Sequence, residues 1–471
     1  MACIFCACDD MLEDKIYDRL TPNNYFSNDA EAIAAVNGVY GALNGSGWNY
    51  YGGGNERIQA TDLTTDVMAG TGGSGYTYDL SNLIWKPTDA FHRDLWQNIY
   101  KGVTLSNYLI QYLPQAAAVS DQTKKRSIAE AKTGLALFYR DLVDLFGNVP
   151  LIKTFSEGDS YPTQSPANEV LDFAIQNLNE AIPDLPEDYD GANNGRFTKG
   201  AAYALLTKIY LMKKDWAKVI ESADAVLALG YTLSTNYADL FKANNQNNPE
   251  FILTKQCFPD FNVGNSMPTY SLPPDYKLPA GVNIQIWNVY RVPRNFYETF
   301  DVDDVRRSLI LESYANVSGG TTVLGASADL ISVKYEIDPG ANIVFGSNDV
   351  PIIRLADVIL AKAEALNEMN GPSQAAVDLI NQVRDRAFNN DASKRIAVAD
   401  FGSKDELRDW ILMERSWELW FEGHRRTDLL RHGKFLEKAT ERGAVDVSPG
   451  RLVFPVPQQE LDVNKNLVPN G

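Results

Sequence analysis

Residues 198–230, TKGAAYALLTKIYLMKKDWAKVIESADAVLALG, constrain this chain more than any other stretch. Tyr203, Leu206 and Tyr210 recur at helical spacing, a short KKD break follows, and Trp216, Val219, Ala223 and Val226 resume the same period. So short a break forces the two helices to lie antiparallel and in contact, with large side chains of one filling gaps beside small ones of the other. Residues 352–387, IIRLADVILAKAEALNEMNGPSQAAVDLINQVRDRA, repeat the pattern with Gly371 and Pro372 in the turn. Two such pairs predict a mostly α-helical protein.

Both pairs resemble tetratricopeptide units, which stack into a right-handed superhelix; an ordinary helix hairpin would show the same small–large alternation. Further helical periods run through DAEAIAAVNGVYGALNG, closed by Gly45, and through FHRDLWQNIYKGVTLSNYLIQYL, SIAEAKTGLALFYRDLVDLFGNVPL and SPANEVLDFAIQNLNEAIPDLP. Two stretches break the pattern. Residues 44–90 are rich in Gly, Thr and Asn with interspersed aromatics, and residues 231–350 gain Pro, Gly, Asn and Tyr. Irregular segments of that length in compact domains are usually functional, so the ligand face is expected there.

Several chemistries are disfavoured. With 43 Lys and Arg against 61 Asp and Glu, the formal charge of −18 repels phosphate backbones, and nucleic acid is not an expected partner. Four cysteines give neither a zinc ribbon nor a disulfide framework. No run of 18 or more apolar residues occurs in the sequence. GTGGSG at Gly70–Gly75 matches the spacing of a dinucleotide-binding loop, but ATDLTTDVMA before it is no apolar strand and YTYDLSNL after it no capped helix. His92, His424 and His432 are the whole histidine supply, and neither HExxH nor GxSxG occurs. The acids of DVDDVRR, Asp301, Asp303 and Asp304, read as a solvated turn rather than a catalytic pair. The expectation is a protein that is not an enzyme and takes no metal or cofactor. In ERSWELWFEGHRRTDLLRHGKF, Arg415, Arg425, Arg426 and Arg431 alternate with Glu414, Glu418, Glu422 and Asp428. Charges three to four apart on helices predict ion pairing that locks a C-terminal helix to the body.

Taken in order, LTPNNYFSNDAEAIAAVNGVYGAL, LWQNIYKGVTLSNYLI, AEAKTGLALFYRDLVDLFGNVPLI, GRFTKGAAYALLTKIYL, DVPIIRLADVILAKAEALNE, LINQVRDRA, the ERSWELW segment and LVFPVPQQELDVNKNLVPN resemble the SusD/RagB family across the whole chain. That family comprises surface lipoproteins of Bacteroidetes nutrient-uptake systems. The resemblance implies a mostly α SusD-like fold with a large loop-rich half carrying the ligand. It divides the chain into a lipoprotein signal remnant (1–8), an N-terminal part (9–230) and a C-terminal part (231–471) forming one compact unit. In IFCACDD, Cys8 is the expected lipidation site, followed by acids similar to those that send such lipoproteins to the outer face of the outer membrane. Cys3 and Cys6 would belong to the discarded remnant.

The family resemblance also implies a ligand and a partner: an oligosaccharide or polysaccharide, held for a SusC-like TonB-dependent porin. The aromatic content, 11% with 23 Tyr and 8 Trp, suits this, since the C–H face of a sugar ring stacks on Trp or Tyr while its hydroxyls need fixed polar partners. Family contacts come from the loop after a TD step and from the middle excursion. Here that step is Thr65–Asp66, and glycines stand where a starch-binding member has tryptophans. The expected contacts are therefore Asp66, Tyr76 and Tyr78 from the first excursion and Tyr270, Tyr276, Trp287, Tyr290 and Arg291 from the second. Trp287 leads, because Tyr290 and Arg291 follow it closely in NIQIWNVYR. A peptide ligand, as in the RagB branch, and a protein-binding tetratricopeptide scaffold stay open as alternatives.

Overall fold

The computed structural model describes residues 26–470 apart from 46–49, 52–54, 72–74, 157–160, 190 and 261–262. Cys8 and the other opening cysteines lie outside the described residues.

Helix α1 (Asp29–Asn44) starts where the Asn28 side chain accepts from the Glu31 amide and stops at Gly45, whose φ is 65°. Within the first excursion stand two short helices, α2 (Glu56–Asp62) and α3 (Gly75–Ser81), which loop composition alone does not reveal. Then come α4 (Ala90–Tyr112), α5 (Asp121–Phe146) and α6 (Ala167–Ala181). From Thr133 to Phe146 every side chain of α5 is buried, because α1, α4 and α6 all pack around it. Gly102 on α4 permits that packing: a Cβ there would stand 2.4 Å from the Phe138 ring on α5.

The two hairpins of the sequence form as expected. The first is α7 (Lys199–Lys213) with α8 (Trp216–Leu227); the second is α9 (Leu355–Asn370) with α10 (Gln374–Ala387). Thr198 and Ser373 cap their N-termini, and Gly371 at φ 75° ends α9. Although far apart in sequence, the hairpins touch: α9 packs on α8, with Leu211, Val219, Ala361 and Ala365 forming a small cluster against Tyr210 and Trp216. The C-terminal helices α11 (Lys404–Leu419), α12 (Arg425–Arg431) and α13 (Phe435–Glu441) complete the framework. Among the described residues no helix is long and apolar enough to cross a membrane.

The second excursion is closed at its neck. Phe251–Lys255 pairs antiparallel with Val350–Arg354, both strands fully buried, so residues 256–349 leave the helical body and return to it at one place. Asn265 and Gly346 exchange both backbone hydrogen bonds at 2.9 Å farther out. A long irregular segment is thereby held as one flap.

The charged C-terminal segment does lock onto the body, but through long-range pairs. Among its charged residues, Asp428–Arg431 pair at i,i+3, while Glu414, Glu418 and Glu422 reach Arg306, Arg354, Arg384, Arg386 and Lys334 in the core. The DVDDVRR acids also separate: Asp301 and Asp303 pair with Lys394 near the surface, whereas Asp304 is buried against Arg306.

Asp62, at the end of α2, is buried and its Oδ2 accepts from the Gly423 amide at 3.0 Å. Burial, opposed by that amide and by Lys334, pushes its carboxyl from 3.8 up to about 7. The folded protein thus keeps a proton that the unfolded chain has already lost. Its contribution to stability falls as pH rises from about 4 to about 7 and is flat above. Asp62→Asn retains the acceptor without the charge. The melting temperature of the variant relative to wild type should climb across that window and then level; a difference constant with pH would contradict this.

Candidate ligand-binding face

The two excursions meet. Ala69–Gly70 pairs antiparallel with Tyr290–Arg291, in register Ala69↔Arg291 and Gly70↔Tyr290. The pairing extends one residue farther, where the Thr71 amide donates to the Val289 carbonyl at 3.0 Å. Gly70 serves this junction: a Cβ would stand 2.6 Å from the Thr77 carbonyl, so only glycine lets α3 close over the strand. That is the structural use of the first glycine of GTGGSG. The strand is two residues long and antiparallel, unlike the parallel strand of a dinucleotide fold.

Trp287 lies on the surface of the flap, 46% exposed, with its ring stacked on Tyr270 at 5.8 Å and 29°. Its amide donates to the Thr269 carbonyl at 3.0 Å, and that of Val289 to the Tyr270 carbonyl at 2.7 Å, which fixes the segment beneath the ring. Tyr270 is buried, and burial first, then the nearness of Tyr76, pushes its hydroxyl above the ordinary value. Tyr76 itself stacks on Phe91 at 5.3 Å and 23°. Together they border a cleft of about 420 Å³ to which Glu56, Asp79 and Asp94 bring carboxylates. Burial, and secondarily Asp94, holds the Glu56 carboxyl well above the usual carboxylate range. Stacking rings beside carboxyl groups can take up the two faces of a sugar, apolar C–H and hydroxyl.

Four expected contacts have other employment. Tyr290 is 0% exposed; its hydroxyl lies 2.6 Å from the Met267 sulfur and its ring meets Phe421 edge-on, so it is a floor under Tyr270 and offers no face to a ligand. Arg291 is tied to the Ser271 and Tyr290 carbonyls and to the Asn288 side chain, and burial lowers it to about 10. Its work is to brace the turn after Trp287. Asp66 makes a two-pronged pair with Arg425, both contacts 2.7 Å, and this guanidinium outweighs burial to hold its carboxyl below the ordinary range. Asp66 borders a different cleft, of about 610 Å³, beside Arg294, Asp329 and Arg442. Tyr276 stacks on Tyr314 in a satellite cluster with Leu272 and Ile331. Tyr78 is exposed, but it stands two positions from Tyr76 on α3, and residues so spaced point to opposite sides of a helix. Glu56, Phe91 and Asp94 escaped the sequence reading because they lie on ordinary helix positions, and only the approach of α2, α3 and α4 brings them together.

This arrangement is that of a helical scaffold that presents exposed aromatics from loops stitched together by a short antiparallel pairing. Residues 337–471 match the family model described as "SusD family", and residues 17–211 one described as "Starch-binding associating with outer membrane". Over both regions the chain is similar to the SusD/RagB family. SusD-like protein P25 of Formosa agariphila is 25% identical, with 98% of this chain and 95% of that protein covered. The starch-binding protein SusD of Bacteroides thetaiotaomicron is 25% identical, with 83% of this chain and 80% of that protein covered. A crystal structure of a SusD homolog from Bacteroides thetaiotaomicron superposes with a TM-score of 0.83 at 24% identity, over 95% of this chain and 98% of that one. A laminarin-binding SusD-like protein superposes with a TM-score of 0.78 at 26% identity, over 94% and 99%.

Proposed function

We propose that this protein captures an oligosaccharide or polysaccharide at the Trp287–Tyr270 stack and the adjoining Tyr76 cleft and performs no chemistry on it. The observation that carries this reading is the half-exposed indole held flat on a buried tyrosine. A ring so placed has a solvent-facing π surface and little conformational freedom left to lose on binding. Its likeness to a starch-binding and a laminarin-binding relative supports the ligand class. Stacking contributes on the order of 1 kcal/mol per ring, set against the ordering of a flexible chain, so the dissociation constant should fall around micromolar to millimolar. Affinity electrophoresis against laminarin, soluble starch, xyloglucan and mannan tests it. Retardation by at least one, without release of shorter products on long incubation, is expected; retardation by none, or accumulating products, contradicts it. Binding of unstructured peptides instead would favour the peptide-capture reading.

The same reading places the protein on the outer face of the outer membrane, anchored through Cys8 and seated on a SusC-like TonB-dependent porin. Two signals are usually needed for firm lipid anchoring, and multiple acylation of one cysteine supplies them. Cys8→Ala should shift the full-length precursor from the surface-labelled membrane fraction to the soluble one, and detergent extracts of wild type should yield a co-purifying barrel. Unchanged surface display, or a lipoprotein extracted alone, would overturn these assignments.

A further inference from the structure

Ile343 has φ of 58°, the left-handed region, and its side chain is 55% exposed. For a β-branched residue that conformation is a true outlier, and a strained one. Glycine or asparagine would occupy it more easily. The turn holding it is rigid: Asn342 and Phe345 exchange both backbone hydrogen bonds at 2.9 Å, while Val344 and Phe345 on its far side are buried. Two core residues thus anchor the turn and push isoleucine outward. Burial does not explain the residue, since much of its surface faces solvent.

The place it faces is informative. The Ile343 carbonyl accepts from the Gln285 amide at 2.8 Å, and the Val344 carbonyl from the Thr269 hydroxyl at 3.2 Å. Thr269 is the residue whose carbonyl holds the Trp287 amide. Gln285 and Trp287 are both exposed, with Ile286 between them packed on the satellite cluster. Gln285 stands two residues from Trp287, and Ile343 adjoins Gln285 across the backbone bond. An exposed isoleucine is thereby tied to the backbone two residues from the exposed indole.

We propose that Ile343 is a specificity-determining residue of the glycan face, packing against a ring beyond the one stacked on Trp287, so that the site prefers chains to short sugars. Retained strain in an exposed apolar side chain, tied to the backbone near the stack, points to a contact made outside the protein. The inference rests on the glycan reading of the Trp287 face.

The test uses the hexasaccharide and the disaccharide of whichever panel polysaccharide the protein retains, laminarihexaose and laminaribiose in the case of laminarin. Calorimetric titration of Ile343→Gly should show the hexasaccharide weakened by about tenfold and the disaccharide unchanged, with a melting temperature equal to or above wild type because the φ penalty is gone. Ile343→Leu, which keeps an apolar contact, should retain most of the hexasaccharide affinity. Unchanged hexasaccharide affinity in Ile343→Gly, or a loss that comes with a lowered melting temperature, overturns the proposal. Trp287→Ala separates the two levels. If it too leaves binding intact, the glycan face itself is misplaced; if it abolishes binding while Ile343→Gly does not, only the role of Ile343 fails.

Discussion

Replacing Trp287 with alanine is expected to weaken glycan binding by at least about tenfold and to lower the melting temperature by no more than about 1–3 °C. The two halves of that expectation come from the same geometry. Nearly half of the indole is exposed, so its removal takes little from the core, while the face that a sugar would cover disappears entirely. Loss of a stacking contact of about 0.5–1.5 kcal/mol, together with the apolar area it would bury, corresponds to a tenfold or larger effect. Tyr270 beneath is buried, and Tyr270→Ala should lower binding and stability together. Titration beside a thermal melt separates these outcomes. A lowered melt with binding intact in Trp287→Ala would make the indole a structural plug and remove it from the site.

The largest effect on stability is expected at Arg354. Its guanidinium, fully buried, donates to Glu250 Oε1 at 2.7 Å, to Glu422 at 2.7 and 2.8 Å, to the Glu418 carbonyl at 2.7 Å and to the Glu418 carboxylate. Arg354 also ends the neck strand and precedes α9, so one side chain ties the flap, the second hairpin and α11 together. Burial opposes the charge on Glu418, but Arg386, Arg354 and Arg306 outweigh it and hold its carboxyl far below the usual range. Arg354→Met preserves length and removes the charge, leaving buried carboxylates short of a partner. Breaking a buried pair from one side destabilises by about 3–5 kcal/mol, which for a chain of this length lowers the melting temperature by about 3–5 °C, or the variant should accumulate insoluble. A melt within experimental error of wild type would show that the network contributes nothing to the fold.

What the sequence disclosed follows from the range of the interactions involved. The hairpins α7–α8 and α9–α10 were legible because their pattern is local: period, cap and turn all lie within each pair. Their contact with each other was not, since nothing in a periodic pattern names a partner across more than a hundred residues. The charged C-terminal segment shows the same limit. Its role in locking helix to body is readable, yet a spacing of three to four names no distant partner, and the structure has a buried web reaching Arg306 and Arg354. In the candidate site, Trp287 and Tyr76 stand on exposed ring faces as loop aromatics should. Tyr290 does not, because its pairing with Gly70 after the turn at Asn288 carries the ring into the core. Asp66 was nominated from a motif position, and Arg425, distant in sequence, claims it. Glu56, Phe91 and Asp94 carried no signal, as their convergence depends on how three helices meet.

A crystal structure of the wild-type protein soaked with the hexasaccharide of the polysaccharide it binds decides where the ligand lies. The expected result is a sugar ring lying flat on Trp287, with hydroxyls directed toward the Tyr76 cleft and the next ring passing Gln285 toward Ile343. Ligand density in another cleft, such as the one of about 500 Å³ beside Arg196 and Tyr231, with the Trp287 face bare, would contradict it.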